Sequence, residues 1–473
     1  MKRILLSFTF VMVIASAGIL FFQWNGFLSG SAEESDISEV NQSFTIEHIG
    51  NEFFITQEVD FISGSSKEMK IEWPEHAKNF RCVYDSGDDC LSKEDGEFFI
   101  DNKKAEKQKL TLTYTLERQM AEGNLLLSGW YPALSSAIPL ETTINIIEKT
   151  SRDAVWISGY KNSKHEEMDF IDYYSFNGHG PPSDLLLYSG EMNLDEFERA
   201  DIYSREKIKF NFGENVFNEK GFVTVVIDDD LPVHETENFL IIGKEPAEST
   251  LLQKINWGLE HQKYSASYQE RWLKELKASM VLQTALGSPK TKKVYHELES
   301  GLTGDQFAAF RKLLMNERSH LLKAVQMDSL LKHATDFTSS YFNDVSKNPE
   351  KEIPLILRAS RTVELNERPL TDVAFIQYHQ EELISLTELM QEAGIEYKYL
   401  QEDVIYATEH GNSYRFYVDK DFFILNEENY GLLTKPVQKV GSTLFMDVEW
   451  LEKLFKMEVD RTSSTIEIQT KET

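Results

Sequence analysis

The chain has 473 residues, 41% of them apolar and 12% aromatic, which is enough for about two to four domains with substantial cores. Its 49 basic and 78 acidic side chains leave a net charge of −29. That balance excludes nucleic-acid binding, which needs Lys and Arg clusters against phosphate, and it disfavours adhesion to anionic lipid head groups. The charge reads as a solvated acidic surface.

At the N-terminus, Lys2 and Arg3 precede an uncharged run over residues 4–22, long enough to cross a bilayer core as a helix. The basic pair places the N-terminus on the cytoplasmic side. Residues 33–60 hold eight acids and no Lys or Arg, so everything after residue 22 is expected outside. Residues 1–32 are therefore predicted to be a signal-anchor or transmembrane segment. A signal peptide cleaved near Gly30 or Ala32, giving a secreted protein, is the alternative. No Cys follows the apolar stretch to carry a lipid.

Residues 43–245 are expected to be β-rich, with two subdomains as one option. Phe44/Ile46/His48, Met69/Ile71/Trp73, Leu110/Leu112/Tyr114/Leu116 and Ile144/Ile146 alternate as strands do when one face is buried. Gly and Asp/Asn turns separate them, which predicts an antiparallel sandwich or curved sheet. Further strands are expected at 208–212, 222–227 and 239–242. The two cysteines, Cys82 and Cys90, enclose seven residues with Gly87 in the middle, and an oxidising exterior favours a disulfide between them. The intervening Asp85-Ser-Gly-Asp-Asp89 lacks the spacing and distal Glu of an EF-hand and reads as a polar turn.

The periodicity changes over residues 246–345, a helical region. Tyr264, Tyr268, Trp272, Leu276 and Met280 recur every fourth residue, predicting one helix that Gly287-Ser-Pro289 stops. A second helix is expected from about Asp305, burying Phe307, Phe310, Leu314, Leu321 and Val325. Lys347-Asn-Pro-Glu-Lys351 is a polar linker to the last domain, residues 358–470.

That domain contains one pattern twice, offset by 62 residues: Ile384/Met446, Leu386/Val448, Leu389/Leu451, Ile395/Met457, Val404/Ile466 and Tyr406/Ile468. Each copy reads as a short helix followed by a strand. With Val363-Glu-Leu-Asn-Glu-Arg-Pro-Leu370 in front, the layout resembles the stalk domain of bacterial surface proteins, also called the copper amine oxidase N-terminal-like domain. That family's pattern is "V-x-L-N-G-x-x-L" followed by "V-P-L-R-x-L-x-x-x-L-G". Ser385 and Asp447 stand here where the family has Pro, and Lys456 where it has Gly. The resemblance implies an accessory module displayed outside the cell, attached to cell-wall polymer or another surface protein. It implies neither copper nor a quinone cofactor.

The β-rich front, the segment Leu127-Ser-Gly-Trp-Tyr-Pro132 and the helices after it are faintly similar to zinc aminopeptidases of the gluzincin type. Such an enzyme needs H-E-x-x-H on one helix, so that two imidazoles and a general base share a face. His296-Glu-Leu-Glu-Ser300, His234-Glu-Thr-Glu-Asn238 and His165-Glu-Glu-Met-Asp169 each lack the second His. No G-x-S-x-G, P-loop or C-x-x-C is present. Asp228-Asp-Asp230, with His234 and Glu235, is the densest acidic cluster and reads as a solvated turn at a strand end.

The sequence therefore predicts an α+β multidomain chain: an N-terminal transmembrane helix, a β-rich sandwich-like region, a helical middle and a C-terminal α+β domain of two helix-strand repeats. Its expected role is that of a non-enzymatic, single-pass envelope protein with no catalytic residue, metal or cofactor. The alternative is a divergent or degenerate extracellular hydrolase, either a gluzincin-like metallopeptidase using His296 and Glu297 or a carboxylate-based glycosidase.

Overall fold

A computed structural model describes residues 38–63, 68–100, 109–118, 123–135, 137–207, 221–243, 247–267, 270–317, 321–348, 351–462 and 464–470. The apolar segment 4–22 and the strand expected at 208–212 lie outside the described residues. Among the described residues no helix is long and apolar enough to cross a membrane. The chain is multidomain and strand-rich, and it divides into two compact units, Met1–Arg271 and Trp272–Thr473.

The first unit is layered. Its largest sheet has seven strands in the order Lys161–Glu167, Asp172–His179, Ala137–Glu148, Ser38–Ile49, Glu52–Ser63, Lys109–Glu117 and Lys78–Tyr84. Alternation along these strands sends Phe44, Ile46, Phe53, Ile55, Ile144 and Ile146 to one face, where Trp130, Trp156, Leu185 and Leu187 cover them. Trp156, Leu185 and Leu187 belong to a three-stranded sheet, Ala154–Ser158, Leu185–Ser189 and Leu125–Leu127. The opposite face of that small sheet, through Ile157, Leu186 and Tyr188, packs on Val226, Phe239 and Ile241. These residues come from a five-stranded sheet whose far side, Ile202, Val225 and Leu240, is sealed by Leu251, Ile255 and Leu259 of the helix Glu248–His261.

The antiparallel expectation fails at two places. Ser38–Ile49 pairs parallel to Ala137–Glu148, and Ala200–Ser204, Val223–Ile227 and Phe239–Ile242 form a parallel trio. Alternation identifies which face of a strand is buried but carries no information about its neighbour's direction, and parallel pairing needs only a long enough crossover.

Cys82 and Cys90 are disulfide-bonded with Cα atoms 5.4 Å apart, and both lie in a core with Val59, Ile71, Tyr84, Leu110 and Leu112. The loop between them is a tight turn: Gly87 has φ 87°, its N–H donates to the Tyr84 carbonyl, and the Tyr84 N–H donates to that of Asp88. Opening the disulfide by paired Cys82→Ala and Cys90→Ala substitutions should cost the first unit about 2.5 kcal/mol, the chain-entropy figure for a loop this short. Calorimetry would read this as a lowered Tm, and an unchanged Tm would mean that the turn's own hydrogen bonds already hold the hairpin closed.

The second unit begins with helices. The single helix expected over 264–280 is instead Arg271–Leu282, so Trp272, Leu276 and Met280 share a buried face but Tyr264 precedes the helix. Pro289 does not stop that helix; it opens the next one, Pro289–Gly301, with Ser288 as its N-cap accepting from the Thr291 N–H. The helix expected from Asp305 is two, Gly304–Asn316 and Ala324–Thr335. Phe310 and Leu314 are buried, whereas Val325 is 65% exposed. One helix ends at Asn316 and the next starts at Ala324, so the phase is not carried over and a stripe drawn through both misplaces Val325.

The pattern offset by 62 residues falls on strand, helix and hairpin in turn. One set is Glu381–Ser385, Leu386–Ala393, Glu396–Gln401 and Val404–Glu409; the other is Thr443–Asp447, Val448–Phe455, Met457–Arg461 and Thr465–Thr470. The strands Glu381–Ser385 and Thr443–Asp447 pair antiparallel with Ile384 directly opposite Met446. Asp447, where the stalk family has Pro, caps its helix by accepting from the Glu449 and Trp450 N–H groups. Asn366 and Glu367 turn the hairpin Thr362–Leu365/Arg368–Leu370 with φ of 48° and 67°, the type I′ geometry in which a Gly at the second position is favoured. The linker side is tied in as well: the Leu355 N–H donates to Glu297 Oε1, and the Gln377 amide donates to the Gly301 carbonyl.

Candidate functional site

A cleft of about 390 Å³ opens within the first unit. Its wall begins where the strand Met69–Glu72 ends, so Glu72, Trp73, Pro74 and Glu75 follow one another along the rim. Trp73 is fixed from behind by a stacked Phe80, with ring centroids 4.9 Å apart, and by the edge of Tyr114.

The opposite wall comes from the segment Leu127–Pro132 singled out in the sequence. Gly129 takes φ 57°, and the turn separates two neighbouring aromatics. Trp130 goes fully into the core, donating from Nε1 to the Ser183 carbonyl at 3.0 Å, while its own carbonyl accepts from the Tyr114 hydroxyl at 2.9 Å. Tyr131 lines the cleft beside Ser128 and Ala133. A buried indole with its N–H satisfied is a rigid anchor, so Tyr131 is held in place by its neighbour.

The floor is polar. Asp184 Oδ2 lies 2.7 Å from His234 Nε2, and both side chains are largely buried. Asp184 follows the irregular stretch 178–182, whose shape Gly178 fixes: a Cβ there would lie 2.1 Å from the Tyr160 ring. The Tyr160 hydroxyl in turn donates to the Gly180 and Pro181 carbonyls, and burial pushes its ionisation well above the usual tyrosine range. His234 sits on the short edge strand His234–Glu235, and Thr236 closes the turn behind it by donating from both its N–H and its hydroxyl to the Phe239 carbonyl. Asn238, 4% exposed, also lines the cleft. Arg271 completes the wall, with Nη1 3.4 Å from the Tyr131 hydroxyl and Nη2 3.7 Å from Glu237. Glu237 is buried and also meets the fully buried His261 at 2.5 Å.

The other residues raised by the sequence are placed elsewhere. Asp228 and Asp230 grip Arg205, at 2.9 and 2.5 Å, and Asp228 Oδ1 accepts from the Asp230 N–H, so the acidic cluster is a self-bonded turn. Glu235 is paired with Lys254. His165 is on the edge strand of the seven-stranded sheet, stacked 4.2 Å from Tyr174. His296 is exposed on its helix, 3.2 Å from Glu299, and the adjacent Glu297 is spent on the Leu355 backbone.

No protein-family model and no curated protein matches the chain. Among solved structures it is similar to an M1 zinc metallopeptidase from Deinococcus radiodurans, at 11% identity and a TM-score of 0.42, over 68% of this chain and 95% of that one. A mutant of that enzyme bound to a Tyr-Ser-Ala substrate matches at 11% identity and a TM-score of 0.43 over the same shares. A two-domain M1 zinc metallopeptidase mutant bound to L-tryptophan matches at 10% identity and a TM-score of 0.42, over 68% and 96%. A likeness this distant assigns no activity.

A catalytic zinc takes three protein ligands and keeps one position open. Among the described residues no group of three or more His, Cys, Asp or Glu is placed to hold a metal ion. What the cleft offers is a rigid wall with aromatic and apolar surface, two rim carboxylates, and a floor of donors and acceptors. That set is suited to holding a small polar molecule.

Proposed function

We propose that this protein is a non-enzymatic component of the bacterial envelope, held in the membrane by residues 4–22 with the rest of the chain outside. In this reading residues 358–470 serve as a stalk-type module that attaches to cell-wall polymer or another surface protein. The observation that carries the reading is the Cys82–Cys90 disulfide in a chain that starts with a basic pair and an apolar run, since such bonds persist on the oxidising side of the membrane. The pairing of Asp228 and Asp230 with Arg205, and of Glu297 with the Leu355 backbone, supports a non-catalytic role for the groups that a hydrolase would need free.

Two measurements test it. In intact bacteria the protein should sediment with membranes and be digested by protease added outside. The ectodomain, residues 33–473, should be retained by isolated cell wall or by a surface partner, and a chain ending at Arg271 should lose at least tenfold in retention. A cytosolic protein would overturn the location. Equal retention by the shortened chain would overturn the role given to the C-terminal region.

A further inference from the structure

We infer that the cleft of the first unit binds an uncharged saccharide segment, of the chemistry found in a wall glycan strand. It adds to the envelope reading a glycan contact separate from, and weaker than, the attachment given to residues 358–470, and the argument for it stands on the cleft alone.

The charges exclude the other small ligands. An anion entering would meet Glu72 and Glu75, while the cleft's cations are already engaged, Arg271 by Glu237 and Tyr131, and His234 by Asp184. A basic peptide gains little, because Glu72 already has Lys70 at 3.6 Å and the Glu75 side chain is solvent-bathed beside His76, where ion pairs are weak. A metal ion lacks three converging ligands among the described residues.

A pyranose suits what remains. Its C–H faces are apolar and pack on aromatic rings, and Trp73 and Tyr131 supply such rings in positions fixed by Phe80 and Trp130. Its rim of hydroxyls both donates and accepts, which matches a lining that offers carboxylate acceptors, the Thr236 hydroxyl and the Asn238 amide. Two groups of the lining make this more than a passive hollow. Trp73 Nε1 is buried with no hydrogen-bond partner among the described residues, and a ligand hydroxyl would recover the cost of that unmet donor. Asn238, 4% exposed, is held at a position locked by Gly159, where a Cβ would lie 2.6 Å from the Asn238 carbonyl oxygen. The volume, about 390 Å³, falls in the range of sites for small molecules.

The test is calorimetric titration of the ectodomain, residues 33–473, with the trisaccharide of β-linked N-acetylglucosamine, and in parallel with tri-lysine and with inorganic phosphate. Saturable binding of the saccharide alone is expected, weakened at least tenfold by Tyr131→Ala and severalfold by Glu75→Gln, a rim substitution that leaves the core untouched. Each variant is first checked for an unchanged Tm. Binding of tri-lysine or phosphate in place of the saccharide, no binding of any probe, or saccharide binding indifferent to both substitutions would overturn the inference. The titration involves neither membrane nor wall, so its failure leaves the location and attachment tests standing, and their failure leaves it standing.

Discussion

Replacing Glu148 by Ala should destabilise the first unit by about 3–5 kcal/mol, the cost of breaking a buried ionic network from one side. Glu148 and His48 are 0% and 1% exposed, with Oε2 2.7 Å from His48 Nδ1. The same oxygen accepts from the Trp156 indole at 2.9 Å, and Oε1 accepts from the Thr150 and Ser151 N–H groups, each at 2.7 Å. Burial pushes the carboxyl's ionisation upward, but the bonds from His48, Ser151, Thr150 and Trp156 outweigh it and the net displacement is downward from 4.5. A carboxyl depressed in the folded state stabilises above its unfolded value and loses that contribution as pH falls through the folded one. The parent protein should therefore lose stability as the pH drops below 4.5, and a Glu148→Gln variant should show a shallower acid limb. Calorimetric scans across pH would check both. A Glu148→Ala variant within 1 kcal/mol of the parent would show that water replaces the carboxylate (~1 kcal/mol is the net worth of an ordinary hydrogen bond).

Asp201→Asn should do the reverse and stabilise the same unit at neutral pH by about 1–3 kcal/mol, the range that follows when a rise from 3.8 toward 6 is converted to free energy. Asp201 is 6% exposed in the parallel trio and pairs directly across the ladder from Glu196, a like charge. Burial first, then Glu196, pushes its ionisation up to about 6, and Lys161 only partly offsets them. A carboxyl raised in the folded state binds its proton more tightly there, so the parent gains stability as pH falls from neutral through 6, and the Asn variant does not. Taken with Glu148, the parent's stability should climb as pH falls from 6 and turn downward only below about 4.5. An Asp201→Asn protein no more stable than the parent at pH 7 would show that the ionised carboxylate is already solvated.

The strands whose one face meets the core could be read from the chain, and those buried on both faces could not. Phe44/Ile46 and Leu110/Leu112/Tyr114 alternate because their other side meets solvent, whereas Leu185-Leu-Leu-Tyr188 is apolar throughout and has no period to detect. The helix Glu248–His261 falls inside the expected helical region 246–345, but its own stripe of Leu251, Ile255 and Leu259 is short and starts closely after the strand Phe239–Ile242, so its bounds do not stand out. The cleft was legible only in fragments. Leu127–Pro132 and His234 stand out in the sequence, but Asp184 is 50 residues from His234, and Trp73 and Asn238 come from different sheets or turns again. Convergence of this kind belongs to the fold, and local spacing carries no trace of it.

The three-stranded sheet between the two larger ones has a consequence for how the unit breathes. Its strand Leu185–Ser189 is hydrogen-bonded on both edges, to Ala154–Ser158 and to Leu125–Leu127, and roofed on both faces. No partial opening frees its amides: either neighbouring sheet can peel away and the other still shields it. Solvent reaches these amides only when the whole unit comes apart, so their isotope exchange measures the unit's total stability, while the edge strand Lys161–Glu167, exposed along its length, reports the cheapest local fluctuation.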